Sequence, residues 1–375
     1  MYKIYRYLDK LNDRQKDIIQ NISVEHTRKV LGGKIGVVFY DVTTLYFETD
    51  KGDGFRENGW SKDGKHAQPQ VILGLLVSDG GYPLAYSIHE GNHYEGNTML
   101  PIVNDFVRKF NLKDFVIIAD SGLMNSQNVA DLERGGYKYI IGARIKNENK
   151  SIKEWILSQN KQDGAFYEYQ KSEQCKLIIG YSEQRAKKDA YNREKGVKRL
   201  EKQYKNGTIT KDKINKRGYN KFLEISDNIK VKINNEKIIE DSKWDGLKGY
   251  ITNTNLSANN VYKQYSELWQ VERAFRVTKG VLELRPMFHF TKKRIEAHVC
   301  ICFVAYKVYK ELERILKTEN IKLSVDKVLG IAKTITTIKI KLKESKETIT
   351  KTMILTPRQK LIAPLFNSEF WSKFY

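Results

Sequence analysis

Two aspartates that close apolar runs and one glutamate within an amphipathic stretch are the residues of this sequence whose types could act together: Asp41, Asp120 and Glu272. Three carboxylates from separate elements make an all-oxygen ligand set, which suits hard divalent cations that keep several waters and bind a substrate phosphate. That chemistry points to Mg²⁺ or Mn²⁺. Two such ions about 4 Å apart activate an attacking water or 3′-hydroxyl and stabilise the leaving oxygen of a phosphodiester, with no protein nucleophile. Each residue alone has a plainer explanation, because Asp often ends strands or caps helices and a Glu on a charged helix face is often only solvated.

The elements that must position them are legible in the pattern. Tyr265 to Lys279 contains good helix formers and no Pro or Gly before Gly280, which predicts one continuous helix. At about 100° per residue, Tyr265, Glu272 and Lys279 recur every seven positions as a single stripe, with Trp269 and Arg276 beside it. Leu268, Val271, Phe275 and Leu282 form the neighbouring apolar face. On such a helix Tyr265 and Lys279 would reach phosphates flanking a scissile bond. Trp269 would offer a plate for an unstacked base or anchor the core edge.

Asp41 ends the apolar run from Lys34, and Asp120 ends a second run from Asp114, both with the character of strands buried on two faces. Between them lie a hairpin (69–77 and 82–88) and a helix from about Asn97 to Phe110. A helix from Ser126 to Arg134 and a strand over 137–142 follow. Residues 35–142 thus read as three mostly antiparallel strands, then helix, strand, helix, strand, in which short connections can bring the two aspartates together.

Residues 1–34 read as one or two short amphipathic helices. Residues 143–255 read as a mainly β insertion interrupted by a basic helical segment from Glu183 to Arg217, either tracking a phosphate backbone or forming a solvated surface helix. Residues 256–317 return to the Glu272 helix and a long helix from Thr291, and 318–375 suggest a helix and a terminal hairpin.

The 375 residues include 66 Lys and Arg against 45 acidic residues, a net charge of +21, which favours a polyanionic partner such as nucleic acid; a merely basic soluble enzyme is the plain alternative. Cys175, Cys300 and Cys302 give neither a disulfide framework nor a zinc spacing, which predicts a reducing compartment. The apolar run Val299 to Tyr306 is too short to span a bilayer and no signal segment leads the chain, so a cytoplasmic, nucleoid-associated protein without a membrane partner is expected. His89 and His93 flank a loop sequence with no obvious third ligand for zinc.

With these residues in view, the chain resembles the DDE transposases of bacterial insertion sequences that carry the Y-x2-R-x3-E-x6-K motif, the YREK group. Tyr265, Glu272 and Lys279 match the motif in type and spacing, Asp41 stands in Tyr40-Asp41-Val42-Thr43-Thr44, and Asp120 in Ala119-Asp120-Ser121-Gly122. Ser61-Lys62-Asp63-Gly64, Glu90-Gly91-Asn92, Gly218-Tyr219-Asn220-Lys221 and Trp244-Asp245-Gly246 also look like the group, and the similarity runs from about residue 35 to 317. The resemblance implies a ribonuclease-H-like mixed α/β sheet flanked by helices, interrupted before the Glu helix. It implies two Mg²⁺ or Mn²⁺ ions on Asp41, Asp120 and Glu272, with Tyr265, Trp269, Arg273, Arg276 and Lys279 on DNA. It further implies cut-and-paste cleavage and strand transfer at element ends, and a homodimer in a synaptic complex with element-end and target DNA. Where the motif has Arg this chain has Leu268, leaving Arg273 or Arg276 to take that phosphate contact. About 34 residues precede the first strand where such transposases carry a longer end-recognition region, which predicts impaired recognition of element ends. A ribonuclease-H-like nuclease or resolvase that hydrolyses without joining, and a DNA-binding remnant without activity, are the alternatives.

Overall fold

The computed structural model describes residues 2–11, 13–60, 64–123, 125–206, 215, 218–225, 231–341 and 347–365. Parts of four expected stretches lie outside them: 61–63, 207–214 with 216–217, 226–230, and Leu342. By internal contacts the chain divides into unit 1 (1–34, 43–92 and 270–375) and unit 2 (35–42 and 93–269).

In chain order, α1 (Tyr2–Leu8) and α2 (Asp13–Val30) lead to β1 (Val37–Tyr46), whose first half belongs to unit 2 and second half to unit 1. The hairpin β2 (Gln70–Ser78) and β3 (Pro83–Glu90) follows. Then come α3 (Met99–Phe110), β4 (Val116–Ala119), α4 (Ser126–Arg134) and β5 (Lys138–Ala143). The next stretch holds α5 (Lys150–Ser158), β6 (Phe166–Gln170), β7 (Lys176–Tyr181), α6 (Glu183–Lys205), β8 (Leu223–Ile225), β9 (Val231–Ile233), α7 (Asn235–Ser242) and β10 (Leu247–Thr252). The chain continues with α8 (Ala258–Ser266), α9 (Trp269–Gly280), α10 (Lys292–Thr318), α11 (Val325–Ala332), β11 (Thr336–Lys341), β12 (Thr348–Met353) and α12 (Pro357–Ile362).

Unit 2 is built on a mixed sheet in the order β1-β4-β5-β10-β7-β6. β1, β4 and β5 are parallel, and β10, β7 and β6 continue antiparallel. The parallel strands carry the apolar runs seen in the sequence, as strands covered on both faces must. α3 buries Met99, Ile102, Val103, Phe106 and Phe110, the i, i+3, i+4, i+7 stripe of an amphipathic helix. The Asn125 side chain caps α4, and Asn149 and Ser257 cap α5 and α8. This is the expected α/β arrangement of a mixed sheet flanked by helices.

The stretch 143–255 differs from its expectation in two ways. Besides the basic helix, which is α6, its described residues hold two more helices, α5 and α7, each started by an Asn cap that composition alone left unread. Its longer strands also extend the sheet, with β10 pairing directly to β5 through Ile251↔Ile141 and Thr252↔Ile140. Among the described strands of this stretch, β8 and β9 stand apart as an antiparallel pair whose Leu223 and Val231 pack with Leu200 and Phe222.

Unit 1 centres on the β2–β3 hairpin, in which every residue of β2 is buried. From α2, Ser23 donates to the Pro83 carbonyl (2.5 Å) and Gln20 accepts from the Tyr86 amide (3.1 Å). From α10, Tyr306 donates to the Gly81 carbonyl (3.2 Å), and the Phe303 and Tyr86 rings pack 5.1 Å apart. The three cysteines are free and buried. Among the described residues no helix is long and apolar enough to cross a membrane.

Candidate active site

The parallel strands of unit 2 set the register of the two aspartates. β1 and β4 pair as Phe39↔Ile118 and Tyr40↔Ala119, and the next residue on each strand is Asp41 and Asp120. Neighbouring strands lie about 4.8 Å apart, so this register brings the backbones of Asp41, within β1, and Asp120, one residue past β4, level with each other. β4 and β5 pair up to Ala119↔Ile141, which sets Gly142 beside Asp120 on the third strand. Below this row Tyr40 is fully buried and donates its hydroxyl to Thr98 Oγ1 at 2.7 Å. Burial drives its phenol well above the ordinary tyrosine range, so it stays a neutral anchor.

Asp41 is not at a strand end as expected. β1 runs on to Tyr46, because Val42, Thr43, Thr44 and Leu45 are buried and largely β-branched, which favours continued strand. Asp120 does stand just past its strand, exposed, where the chain enters a short turn over Ser121–Leu123.

Tyr265 overturns the single-helix reading. α8 ends at Ser266 and α9 starts at Trp269, the chain tightening between them through Glu267 N–H to Gln264 O (3.2 Å) and Leu268 N–H to Tyr265 O (3.0 Å). These three-residue bonds break the helical phase, so Tyr265 does not share a stripe with Glu272 and Lys279. Tyr265 is 4% exposed and donates its hydroxyl to Asp120 Oδ1 at 3.1 Å. Its ring packs on Tyr250 (centroids 4.8 Å apart), with Lys248 Nζ 4.5 Å from the ring centre.

Next to Asp120 and within unit 2 lies a cavity of about 550 Å³ that Arg144, Lys146, Arg185, Lys248, Trp244 and Tyr219 help to line. Some of its cations are paired: Lys146 with Asp241 (2.6 Å), and Arg193 with Asp245 through two 2.5 Å contacts. Arg144 donates from Nε to the Ser121 carbonyl (2.9 Å) and from Nη2 to the Gly122 carbonyl (3.1 Å). Sequence reasoning missed Arg144 and Gly142, although both sit at the end of the third parallel strand, level with the aspartate row.

Glu272 lies in α9, in unit 1, and is exposed, as is Arg276; Trp269 is 47% exposed and Lys279 half-buried. Leu268 is buried. Arg273 is committed elsewhere, its guanidinium meeting Glu313 of α10 at 2.5 Å; burial pushes the Glu313 carboxyl up, and Lys310 together with Arg273 more than offsets this and holds it below its usual range. Among the described residues no three His, Cys, Asp or Glu side chains gather closely enough to hold an ion by themselves. The donor chemistry of Asp41, partly exposed, and Asp120, exposed, is that of hard carboxylate oxygens, which fits divalent ions that retain waters.

Asp120 thus stands at the edge of a cavity lined largely by cationic side chains, with Asp41 on the neighbouring strand. The sequence model described as "Transposase DDE domain" matches residues 32–307, and the chain belongs to that family. No curated protein matches the sequence. Among solved structures it is similar to piggyBac transposase in a synaptic complex with hairpin DNA, at 9% identity and TM-score 0.45, covering 78% of this chain and 50% of that one. It is also similar to Mos1 transposase in a paired-end complex with the left transposon end, at 13% identity and TM-score 0.21, covering 35% of this chain and 43% of that one. A Mos1 mariner paired-end complex with Mn stands at 15% identity and TM-score 0.20, over 35% and 43% of the two chains. The chain spans half or less of the length of these proteins.

Proposed function

We propose that the chain is a DNA transposase of the YREK group that cleaves and joins phosphodiesters at the ends of an insertion element by a cut-and-paste route. The observation that supports this reading is the parallel pairing of Tyr40 with Ala119, the residues directly before Asp41 and Asp120, inside a span that matches the DDE domain. Glu272 is proposed as the third carboxylate. Two Mg²⁺ or Mn²⁺ ions held by these three residues would supply an activated water or 3′-hydroxyl and stabilisation of the leaving oxygen.

The chain's own residues do the rest. The parallel strands fix the backbone of Asp41 and lead the chain up to Asp120, which sets the two positions for sharing a cation. Lys248 and Arg185 at the unit 2 cavity take backbone phosphates, and Arg276 and Lys279 of α9 do the same from unit 1. Trp269, half exposed, takes an unstacked base. We assign Arg273 to holding α9 on α10 rather than to DNA. Two copies of the chain in a synaptic complex, one per element end, complete the proposed assembly.

The test is to incubate the purified protein with duplexes carrying candidate element ends and Mg²⁺ or Mn²⁺, and to resolve nicked, hairpin and joined strands. Transposition predicts joined products that vanish with chelator. Nicks that never proceed to joining would make the protein a nuclease or resolvase, and binding without any nicking would leave a DNA-binding remnant.

A further inference from the structure

Asp120 lies beyond the last ladder pair of β4, exposed, so the sheet fixes its backbone only up to Ala119. Something else has to orient its carboxylate. We infer that Tyr265 and Arg144 are positioning residues for Asp120, the first acting on the carboxylate and the second on the turn that carries it. This deepens the proposed function and rests on it.

Tyr265 donates directly to Oδ1 (3.1 Å), while Oδ2 faces the Gly122 amide at 3.4 Å. A hydroxyl bond on one oxygen stops the carboxylate rotating and presents its remaining lone pairs in one direction. The hydroxyl is itself held in place. The Tyr265 ring is buried against Tyr250 and beneath Lys248, and β5 makes room for its tip. A Cβ at Gly142 would come 2.5 Å from the Tyr265 oxygen and 3.1 Å from the Ser121 nitrogen.

Arg144 fixes the other side. Its planar guanidinium spans two successive carbonyls, those of Ser121 and Gly122, which directly follow Asp120. Arg presents this fork already formed, so a Lys in its place could satisfy only one carbonyl at a time. Together the two side chains bracket Asp120 without adding negative charge beside it.

The rival role for both residues is direct phosphate contact, and the two roles move different measurements. Mn²⁺ binding to the protein without DNA, followed by the loss of the free Mn²⁺ electron paramagnetic resonance signal, reads the carboxylate geometry. DNA binding in EDTA, followed by fluorescence anisotropy, reads phosphate contacts. Tyr265→Phe keeps the ring packing and so keeps the fold. It should weaken Mn²⁺ binding about tenfold, as loss of an outer hydrogen bond to a metal ligand does. Arg144→Ala should do likewise and Arg144→Lys by a smaller factor, with DNA binding in EDTA within about twofold of wild type for all three. Unchanged Mn²⁺ affinity in Tyr265→Phe and Arg144→Ala, with Asp120→Asn impaired, would overturn this inference and leave the active site standing. Loss of DNA affinity without loss of Mn²⁺ affinity would overturn it in favour of phosphate contacts. Mn²⁺ affinity unaffected by Asp120→Asn would overturn the metal-site reading itself and this inference with it.

Discussion

Asp41 and Asp120 follow directly on Tyr40 and Ala119, the last paired residues of two parallel strands, so one register sets the two residues level with each other. Asp41 stands within β1, and Asp120 one residue past β4 where a short turn begins. A one-residue slip between β1 and β4 would put the two residues out of level, and the close packing of Val38, Phe39, Tyr40, Ile117, Ile118 and Ala119, all buried, makes that slip costly.

Gly142 tests how tightly the third strand fits this row. Gly142→Ala forces the new methyl against the Tyr265 hydroxyl and the Ser121 amide. It should cost about 1–3 kcal/mol in urea unfolding, as overpacking does, and weaken Mn²⁺ binding along with it. An alanine variant with wild-type stability and Mn²⁺ affinity would show that the hydroxyl does not need its place above the glycine.

Arg193 on α6 and Asp245 just before β10 form a two-point ion pair with side chains 12% and 17% exposed. Truncating either to Ala should cost about 2–3 kcal/mol, because the other charge is left largely covered and unpaired. The double variant should lose clearly less than the sum of the two singles. A double-mutant cycle with coupling under about 0.5 kcal/mol would reduce the pair to an ordinary surface contact.

Arg273 and Arg276, three residues apart on α9, should behave in opposite ways. Arg276 is exposed, so Arg276→Ala should weaken DNA binding and lower the salt slope by roughly one. Arg273→Ala should leave that slope alone. It removes one partner of Glu313, which also pairs with Lys310, and should reduce unfolding stability by roughly 1–2 kcal/mol. Equal effects of the two variants on the salt slope would show that Arg273 also reaches DNA.

Much of this was legible in the sequence and some was not. The apolar runs closing on Asp41 and Asp120 announce buried strands, and their order, with the helices between them, follows from periodicity. The break at Glu267 and Leu268 leaves no such trace, since neither residue is a helix breaker; it arises from tertiary packing that buries Tyr265 and Leu268. The Tyr265 bond to Asp120 joins residues 145 positions apart, beyond any local pattern. Arg273 and Arg276, both expected on DNA-facing positions, look alike in sequence, and the position of Glu313 on α10 is what commits Arg273 to the fold.

Lys307 gives unit 1 a pH dependence. Its ammonium, largely buried, donates to the Ser23 carbonyl (3.0 Å) and Thr27 Oγ1 (2.6 Å) over the Tyr82 ring, and burial drives its pKa down to about 8. The unfolded chain, with lysine near 10.4, holds its proton over a range where the folded chain has lost it. The penalty is therefore fully present below about pH 8 and relieved as pH rises toward about 10. Buried Cys302, pushed up to about 11, works in the opposite direction above pH 9. The difference in stability between wild type and Lys307→Met removes that contribution, and it should shift in favour of wild type between pH 8 and 10. A difference independent of pH would mean that Lys307 titrates normally.

The most direct test of the central claim is the rate of Mg²⁺-dependent cleavage of element-end DNA by wild type, Asp41→Asn and Asp120→Asn, with DNA binding measured on the same preparations. The account predicts cleavage by wild type, a loss of about a thousandfold or more in each variant, and binding within about twofold. Cleavage by either variant at the wild-type rate, or binding lost in step with cleavage, would contradict it.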